Sequence, residues 1–555
     1  MKYRYKKYQQ VDIPNQLREA YPELGTASLQ VLVNRGYTTA PQVEELLFPE
    51  MGLLYRQNMK DIERAVSHLR RAIEQKEGIV VYRDYDCDGC CGGAVAVLGL
   101  RGLGATVHHY ANERTVDGYG MCVNGVEKLL AQFPDTKLIL TVDNGITAHD
   151  GIAYAKERGL CVVVTDHHVP SAELPVADAI VDPKRADDDY PFKGLCGAGV
   201  VFKVLLALYQ SMGVPLDGLM GLLDLVAVAT VADVVPILEE NRLLVKLGIP
   251  LIAEGERPFF RALNSQLGLT EVRAMDTLGF QMGPIINACS RMGLSTDLVV
   301  ESMISSDLSA VSSVCAQLIK NNVERKTLTL ETYERIKEKL VDPNAKAAIF
   351  VKDDEIPDGI IGIVAGRLQS DFHRVSLVFT THSSGVLKCS ARGVDGMDLK
   401  AALDQLNPDF FLGYGGHPKA AGLTLKADQY EPFCEAFLAL TERTLKPEHY
   451  TEIREIDLVV DETECTIDLV EELKQLEPFG EGFRPIRCGL NAKVNGVYYM
   501  GSEKQHVNFI AGPLSIIHWN RAAWAKGLPS YPEKFVGKLN INSFRGVDSV
   551  QFISE

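Results

Sequence analysis

The sequence has no long uninterrupted apolar segment, which argues against membrane insertion and export. The longest apolar stretch, residues 219–232, is broken by Asp224 and is too short to span a bilayer. Cations occur near the first residue, but no apolar segment follows them as it would in an export signal. We therefore expect a cytoplasmic protein that makes no membrane contact.

Positive charge is also scarce. Lys and Arg number 57 against 73 Asp and Glu in 555 residues, so the formal net charge is −16. This balance disfavours indiscriminate coating of nucleic acid or of an anionic membrane, so a polyanionic partner must be held locally. The acidic excess is either a solvated surface or, in part, a set of metal-ligating carboxylates, and composition does not separate the two.

The sequence lacks the paired cysteines of a structural zinc site. The 12 cysteines show no repeated spacing, and the cluster of Cys87, Cys90 and Cys91 has no second cysteine pair to complete four ligands. In a chain without an export signal, we expect reduced thiols that pack as small apolar residues.

The hydrophobic pattern predicts several domains, and the length suggests roughly three to four of them. Residues 78–300 alternate β-branched runs with helical periodicity, which indicates an α/β domain with a parallel sheet. We expect residues 1–77 to form a helical segment packed on it and residues 301–341 to form a long connecting helix. Residues 342–445 predict a smaller α/β domain, and residues 446–555, with short strands between Gly and Pro, predict a small β-barrel.

Acidic segments follow several predicted strands of the parallel sheet, at the edge where ligands bind in such sheets. A single Asp after a strand is most often a turn or helix-capping residue. A cluster of desolvated carboxylates, however, costs several kcal/mol each unless cations compensate them. The segments are Asp84-Tyr85-Asp86-Cys87-Asp88-Gly89, Asp143-Asn144-Gly145 and Asp166-His167-His168, and Asp233 ends an apolar helical run.

These ligand types indicate a particular chemistry. Carboxylate oxygens suit Mg²⁺ and Mn²⁺, and an imidazole favours Mn²⁺ without excluding Mg²⁺. Two such ions about 3.5–4 Å apart activate a water and stabilise both oxygens of an in-line phosphoryl displacement. The residues alone therefore predict two-metal hydrolysis of a phosphoester or phosphoanhydride.

In order and spacing, the four segments resemble the motifs of the DHH phosphoesterase superfamily. Further motifs, spread over nearly the whole chain, are similar to those of the RecJ family of single-strand-specific exonucleases. They are Asn112-Glu113-Arg114, Asp117-Gly118-Tyr119-Gly120, residues 286–292, residues 359–368, Ser390-Ala391-Arg392, Gly415-Gly416-His417-Pro418 and residues 478–482. The resemblance implies an α/β DHH domain over residues 78–300, a DHHA1 domain over residues 342–445 and an oligonucleotide-binding (OB-like) fold over residues 446–555.

The resemblance also implies a function. It predicts a monomeric 5′→3′ exonuclease that uses two Mn²⁺ or Mg²⁺ ions to release 5′ mononucleotides from single-stranded DNA, in recombination and repair. Single-strand-binding protein and a helicase are its expected partners. Carried over by motif, the metal ligands are Asp84, Asp86, Asp88, Asp143, His167 and Asp233, and the catalytic residues are Asp86, Asp143 and His168. The expected nucleic-acid contacts are Arg114, Tyr119 by base stacking, Arg291, Ser390, Arg392 and His417.

Two other functions stay open. The first is a small-nucleotide phosphodiesterase or pyrophosphatase of the same superfamily. Hydrolysis of a small nucleotide would not need residues 451–555 or the connector, which argues against this function. The second is a non-catalytic DNA-binding scaffold, against which the complete acidic set argues. Cys87, Cys90 and Cys91 depart from the family pattern of small and hydroxyl residues, which brings the local helix cap into question and predicts sensitivity to thiol oxidation.

Overall fold

The computed structural model describes residues 3–7, 11–113, 117, 119–382, 385–528, 530–544 and 546–555. It divides into a larger unit, residues 51–452, and a smaller unit, residues 3–50 together with 453–555. Within these described ranges, no helix combines the length and apolar character needed to cross a membrane.

The strands are β1 (Tyr3–Lys7), β2 (Gly78–Arg83), β3 (Val107–Ala111), β4 (Thr136–Val142), β5 (Cys161–Thr165), β6 (Ala179–Val181), β7 (Ala348–Lys352), β8 (Val375–Thr381), β9 (Leu387–Arg392), β10 (Phe411–His417), β11 (Ala420–Leu425), β12 (Glu452–Ile456), β13 (Leu458–Asp461), β14 (Cys488–Asn491), β15 (Gly496–Met500), β16 (His506–Ala511), β17 (Leu514–His518), β18 (Lys534–Phe544) and β19 (Val547–Ser554).

The α-helices are α1 (Asn15–Ala20), α2 (Thr26–Asn34), α3 (Ala40–Leu47), α4 (Ile62–Glu74), α5 (Cys87–Gly102), α6 (Val123–Gln132), α7 (His149–Glu157), α8 (Gly197–Met212), α9 (Asp217–Met220), α10 (Leu223–Ala232), α11 (Glu239–Glu254), α12 (Pro258–Leu267), α13 (Gly283–Arg291), α14 (Asp297–Ile304), α15 (Leu308–Lys339), α16 (Ile361–Phe372), α17 (Leu399–Asp404), α18 (Tyr430–Thr444), α19 (Ile467–Lys474) and α20 (Ala522–Lys526). A π-helix (Ala274–Met282) precedes α13.

The first half of the larger unit is built on a five-stranded parallel sheet with the order β3-β2-β4-β5-β6. Helices cover both faces, which is why its strands are continuous apolar runs. Along β2, Val81 packs in the core formed with α5, α8 and α10, whereas Val80 packs in the core formed with α6 and α7. The predicted parallel α/β domain is confirmed.

The second half of the larger unit is a mixed sheet with the order β10-β11-β9-β8-β7, in which β7 and β8 are parallel and the other pairs antiparallel. The long helix α15 precedes it and is capped by Asp307, whose carboxylate accepts hydrogen bonds from the backbone N–H groups of Ser309 and Ala310. The predicted connector therefore contains the end of α14, a break at residues 305–307 and then α15.

The smaller unit contains a seven-stranded, mostly antiparallel sheet with the order β13-β14-β18-β19-β17-β16-β15. This confirms the strand-rich C-terminal region. The expectation that residues 1–77 form one helical segment on the 78–300 domain is corrected for residues 3–50. They include β1, which pairs with β12, and α2, where Ser28 donates hydrogen bonds to the side chain and backbone of Glu472. Helical periodicity shows that α2 has a buried face but not which segment covers it.

A buried ion network joins the two segments of the smaller unit. The Asp457 carboxylate is fully buried and accepts hydrogen bonds from Arg35 at 3.0 Å, from Arg484 at 2.6 and 2.9 Å and from the Arg487 backbone N–H at 2.8 Å. Burial alone would raise the pKa of Asp457, but hydrogen bonds from Arg35 and Arg484 hold this pKa below its ordinary value. The carboxylate is therefore ionised at neutral pH.

We expect Asp457→Ala to lower the free energy of unfolding by about 3 kcal/mol, because it removes the carboxylate paired with the buried Arg35 and one of the two carboxylates beside Arg484. The figure is at the low end for buried pairs since Arg484 is 35% exposed. The pKa of Asp457 is lower in the folded chain than in the unfolded chain, so this contribution is present at neutral pH and is lost as the pH falls below about 4. Urea denaturation of the full chain at several pH values measures both effects. Equal destabilisation by the exposed control Asp548→Ala would contradict the interpretation.

Candidate metal centre

The carboxyl ends of three adjacent parallel strands meet at one edge of the sheet. Asp84 follows β2, Asp143 follows β4, and Asp166, with the two histidines after it, follows β5. Asp233 reaches the same place from the C-terminal end of α10. The structure thus brings together the residues that were predicted to be ligands from three strands and one helix.

His167 is at the centre of this cluster. Its Nε2 atom lies 3.1 Å from Asp143 Oδ1, 3.6 Å from Asp233 Oδ2 and 3.8 Å from Asp88 Oδ2. Possible ligand atoms of Asp88, His167 and Asp233 lie within 4.8 Å of one another, as do those of Asp84, Asp86 and Asp143. The two groups adjoin through the short distance between His167 and Asp143.

Local backbone geometry positions the carboxylates. Asp86 caps α5 by accepting a hydrogen bond from the Gly89 N–H at 3.0 Å. Asp88 accepts hydrogen bonds from the first N–H groups of α8, at Gly197 (2.6 Å) and Ala198 (2.8 Å). A Cβ atom on Gly197 would lie 2.6 Å from the Cβ atom of Asp143, so only glycine permits this approach.

Asp143 has a left-handed backbone conformation, with φ of 62°. This conformation is uncommon for residues other than glycine and is typical of functional sites. The neighbouring Asn144 is a functional residue that its sequence motif did not single out. Its side-chain amide donates to the backbone carbonyl groups of Tyr82 and Val142, both at 3.0 Å, and ties the ends of β2 and β4 together.

The donor set fits divalent cations. Burial, followed by the charge of Asp86, raises the pKa of Asp88 to about 6. Burial and the neighbouring carboxylates also raise the pKa values of Asp143 and Asp233 well above the ordinary value. Both ring nitrogens of His167 and the Oδ1 atom of Asp143 are buried without a hydrogen-bond partner among the described residues. Bound cations would satisfy these atoms and allow the crowded carboxylates to ionise together.

The two histidines differ in charge. Burial and the charge of His168 lower the pKa of His167 well below 6.5, so its ring is neutral, as a metal ligand must be. For His168, burial would lower the pKa, but Asp166 outweighs this effect and raises it to about 9. Asp166 Oδ1 lies 2.7 Å from His168 Nδ1, and its other oxygen accepts a hydrogen bond from the Ile146 N–H. Asp166 belongs to the Asp166-His167-His168 motif, and its role in holding the charge of His168 becomes apparent only in the folded chain.

Tyr119 and His417 surround His168. The Tyr119 hydroxyl donates to the backbone oxygen of Asp143 at 3.1 Å and lies 3.1 Å from His168 Nδ1. The ring of His417, at the end of β10, stacks at 6.0 Å from the ring of His168. Base stacking, the role expected for Tyr119, would use its ring. The residue is 46% exposed, but its hydroxyl group contacts Asp143 and His168 in the metal centre.

The predicted phosphate contacts form a second group. Arg291, Ser390 and Arg392 line a cavity of about 450 Å³ together with Tyr85, which lies between Asp84 and Asp86 in the chain. Arg392 donates a hydrogen bond to Ser390 Oγ at 2.9 Å. Arg114 lies outside the described residues.

The three unusual cysteines pack in the apolar core around α5 and are buried. Burial raises the pKa of Cys90, and a hydrogen bond from Cys91 together with burial raises that of Cys87. The thiols therefore behave as the predicted small apolar residues. The expected sensitivity to thiol oxidation is corrected, because buried thiols with raised pKa values are unreactive. The Asp86 cap of α5 is present despite them.

Comparisons with known proteins agree with this organisation. Family models match residues 78–230 (DHH family, N-terminal domain), 344–443 (DHHA1 domain) and 456–555 (RecJ OB domain). Proteins named single-stranded-DNA-specific exonuclease RecJ are similar along the chain. The protein from Dickeya dadantii is 32% identical, and the match covers 95% of this chain and 96% of that protein. The protein from Escherichia coli is also 32% identical, and the match covers 96% of this chain and 95% of that protein. The Bacillus subtilis relative is 33% identical over 93% of this chain, which spans 65% of that protein's length.

Solved structures are similar as well. Thermus thermophilus RecJ in complex with Mn²⁺ has a TM-score of 0.83 and 27% identity, covering 100% of this chain and 79% of that chain. The same protein in complex with Mg²⁺ has a TM-score of 0.77 and 26% identity, covering 100% and 78%.

Proposed function

The chain belongs to the RecJ family of single-stranded-DNA-specific exonucleases, and from that premise we propose that it removes 5′ mononucleotides from single-stranded DNA in the 5′→3′ direction. The observation that supports this proposal is the pair of adjoining ligand groups beside a cavity lined by two arginines and a serine. Such a site joins hydrolytic chemistry to a place for a terminal phosphate.

The two ligand groups suit two cations, as the residue chemistry predicted. Asp84, Asp86 and Asp143 would hold one ion, and Asp88, His167 and Asp233 the other. Mn²⁺ or Mg²⁺ bound there supplies an activated water and stabilises charge on the scissile phosphate. The RecJ structures similar to this chain contain these metals.

Other side chains bind and orient the strand. His168, positively charged at neutral pH because of Asp166, supports the scissile phosphate. Arg392 and Arg291 present planar charged groups suited to phosphate oxygens. A 5′-terminal phosphate held in their cavity lies next to Tyr85, in the acidic loop. We infer that the position of this cavity beside the acidic loop selects the terminal nucleotide for release and thereby sets the polarity.

The test uses single-stranded DNA labelled at either end. With Mn²⁺, the 5′ label should appear at once as a mononucleotide while the 3′-labelled strand shortens progressively, and a chelator should stop both reactions. Digestion from the 3′ end would overturn the polarity. Faster cleavage of dinucleotides than of long strands would favour the small-nucleotide hydrolase, and binding without any product would favour the scaffold.

We expect Tyr119→Phe to lower kcat about tenfold with little change in KM, because the hydroxyl helps to orient His168. Steady-state kinetics on a single-stranded oligonucleotide measures this. The matched control is Tyr154→Phe, which removes the hydroxyl of a half-buried tyrosine that is hydrogen-bonded to Glu127. Tyr119→Ala should in addition raise KM if the ring stacks on a base. Wild-type kinetics for Tyr119→Phe, with a raised KM for Tyr119→Ala, would show that the ring alone matters.

Further proposals rest on the family and not on particular residues. They are a role in recombination and repair, a monomeric state, a cytoplasmic location and partnership with single-strand-binding protein and a helicase. The boundaries at residues 78–300, 301–341, 342–445 and 446–555 are proposals of the same kind.

A further inference from the structure

A second group of metal-ligating side chains lies at the opposite edge of the parallel sheet. Cys161 is the first residue of β5, Asp178 immediately precedes β6, and His68 is in α4. The metal centre follows the carboxyl end of β5, whereas this group lies at its amino end. One five-residue strand, roughly 16 Å long, separates them.

The geometry of this group suits a tetrahedral ion. Possible ligand atoms of His68, Cys161 and Asp178 lie within 4.8 Å of one another, and His68 Nδ1 is 3.4 Å from Cys161 Sγ. In a tetrahedral zinc site, bonds of about 2.3 Å to sulfur and about 2.0 Å to nitrogen place these two atoms about 3.5 Å apart. The observed separation matches this value without movement of either residue.

The donor types distinguish this group from the metal centre. One sulfur, one imidazole nitrogen and one carboxylate oxygen favour Zn²⁺, whereas Mg²⁺ and Mn²⁺ prefer oxygen-rich sites. Cys161 is 8% exposed and the other two residues are half-buried, so an ion has access to the group from solvent.

We propose that His68, Cys161 and Asp178 bind Zn²⁺ at a site separate from the metal centre, with a water molecule as the fourth ligand. Binding forms one bond from zinc to each side chain, and the Cys161 thiol releases its proton to solvent. The ion joins α4 to the beginnings of β5 and β6 and so fixes the amino-terminal edge of the sheet.

Neighbouring cations oppose this binding. Arg71 lies beside the Cys161 thiol and His68, and Lys156 pairs with Asp178. Lys156 donates hydrogen bonds to both carboxylate oxygens of Asp178, at 2.7 and 2.6 Å, and the Val162 N–H donates to Oδ2 at 2.7 Å. A carboxylate oxygen has two lone pairs, so Oδ1 can bind an ion beside Lys156. The ammonium charge nevertheless weakens zinc binding, and its removal should strengthen it.

Cobalt(II) titration of the full chain, stripped of metal by chelation, tests the proposal. Thiolate-bound tetrahedral Co²⁺ gives an intense sulfur-to-metal charge-transfer band, whereas Co²⁺ among oxygen and nitrogen ligands at the metal centre gives none. We expect one equivalent of the band, bleached by Zn²⁺. It should persist in Asp143→Asn and in the control Cys434→Ser, and it should be lost in Cys161→Ser and His68→Gln.

Lys156→Met provides the second arm of the test. It should bind Co²⁺ and Zn²⁺ roughly fivefold more tightly, the factor expected for removing one partly screened like charge. A misfolded variant does not gain affinity, so this result cannot come from lost structure. The proposal is overturned if no band forms, if the band survives Cys161→Ser, if Asp143→Asn abolishes it, or if Lys156→Met binds no more tightly than the wild type.

Discussion

Asp143→Asn should lower kcat on single-stranded DNA by at least about 10³-fold at saturating Mn²⁺. Asp143 adjoins both ligand groups, and its Oδ1 atom is buried without a hydrogen-bond partner among the described residues. A correctly held ion stabilises transition-state charge by several kcal/mol, and about 4 kcal/mol corresponds to a factor of about 10³. Single-turnover digestion of an end-labelled strand measures the loss.

A neighbouring aspartate provides a matched control. Asp182 follows β6 at the same edge of the sheet, and burial, followed by the charge of Asp166, raises its pKa to about 8. Its carboxyl group is therefore protonated at neutral pH, and Asp182→Asn replaces one neutral group by another of similar shape. We expect activity close to wild type. Full activity in Asp143→Asn, or an equal loss in both variants with native thermal unfolding, would exclude Asp143 from the reaction.

Asp166→Asn should lower kcat about 10- to 100-fold, the range found when a group that orients a metal-site histidine is removed. The amide keeps the shape of the carboxylate but lacks its negative charge. That charge holds His168 in its protonated, oriented form. KM should change little, because Asp166 is buried behind the histidine. The effect would appear as a lower single-turnover rate at unchanged DNA affinity.

Asp187 is exposed and pairs with Lys60 and with the buried Arg185. It supplies a control for the loss of one aspartate charge, and Asp187→Asn should leave kcat unchanged. If Asp166→Asn weakens Mn²⁺ binding without lowering the rate at saturating metal, Asp166 acts on the ions and not on His168. Measuring the cleavage rate of each variant over a range of Mn²⁺ concentrations separates these outcomes.

The position of the metal centre could be predicted because the carboxyl ends of parallel strands must share an edge. Asp84, Asp143 and His167 follow strands with unmistakable β-branched runs, so their proximity could be predicted. The hydrogen-bond partners of Asp88 could not be predicted, since Gly197 and Ala198 lie 109 and 110 residues away in sequence. A glycine before an apolar helix was the available signal, because such helix N-termini bind anions.

Other features depend on contacts that periodicity does not encode. The pattern of Tyr119 is that of any tyrosine beside glycines, and only the folded chain places its hydroxyl against His168. The helical character of residues 15–47 agrees with the helical segment predicted for residues 1–77. Their association with residues 453–555 depends on particular pairs such as Arg35 with Asp457, and no local sequence pattern specifies such pairs.

The smaller unit is built from two distant segments of the chain, and this affects the order in which the protein folds during synthesis. Its two segments, residues 3–50 and 453–555, are separated by about 400 residues, which take about 20–80 s to translate at typical rates. During that interval α2 and Arg35 have left the ribosome while Asp457 does not yet exist. The larger unit can complete its fold first, and the earliest residues to be made are among the last to reach their native partners.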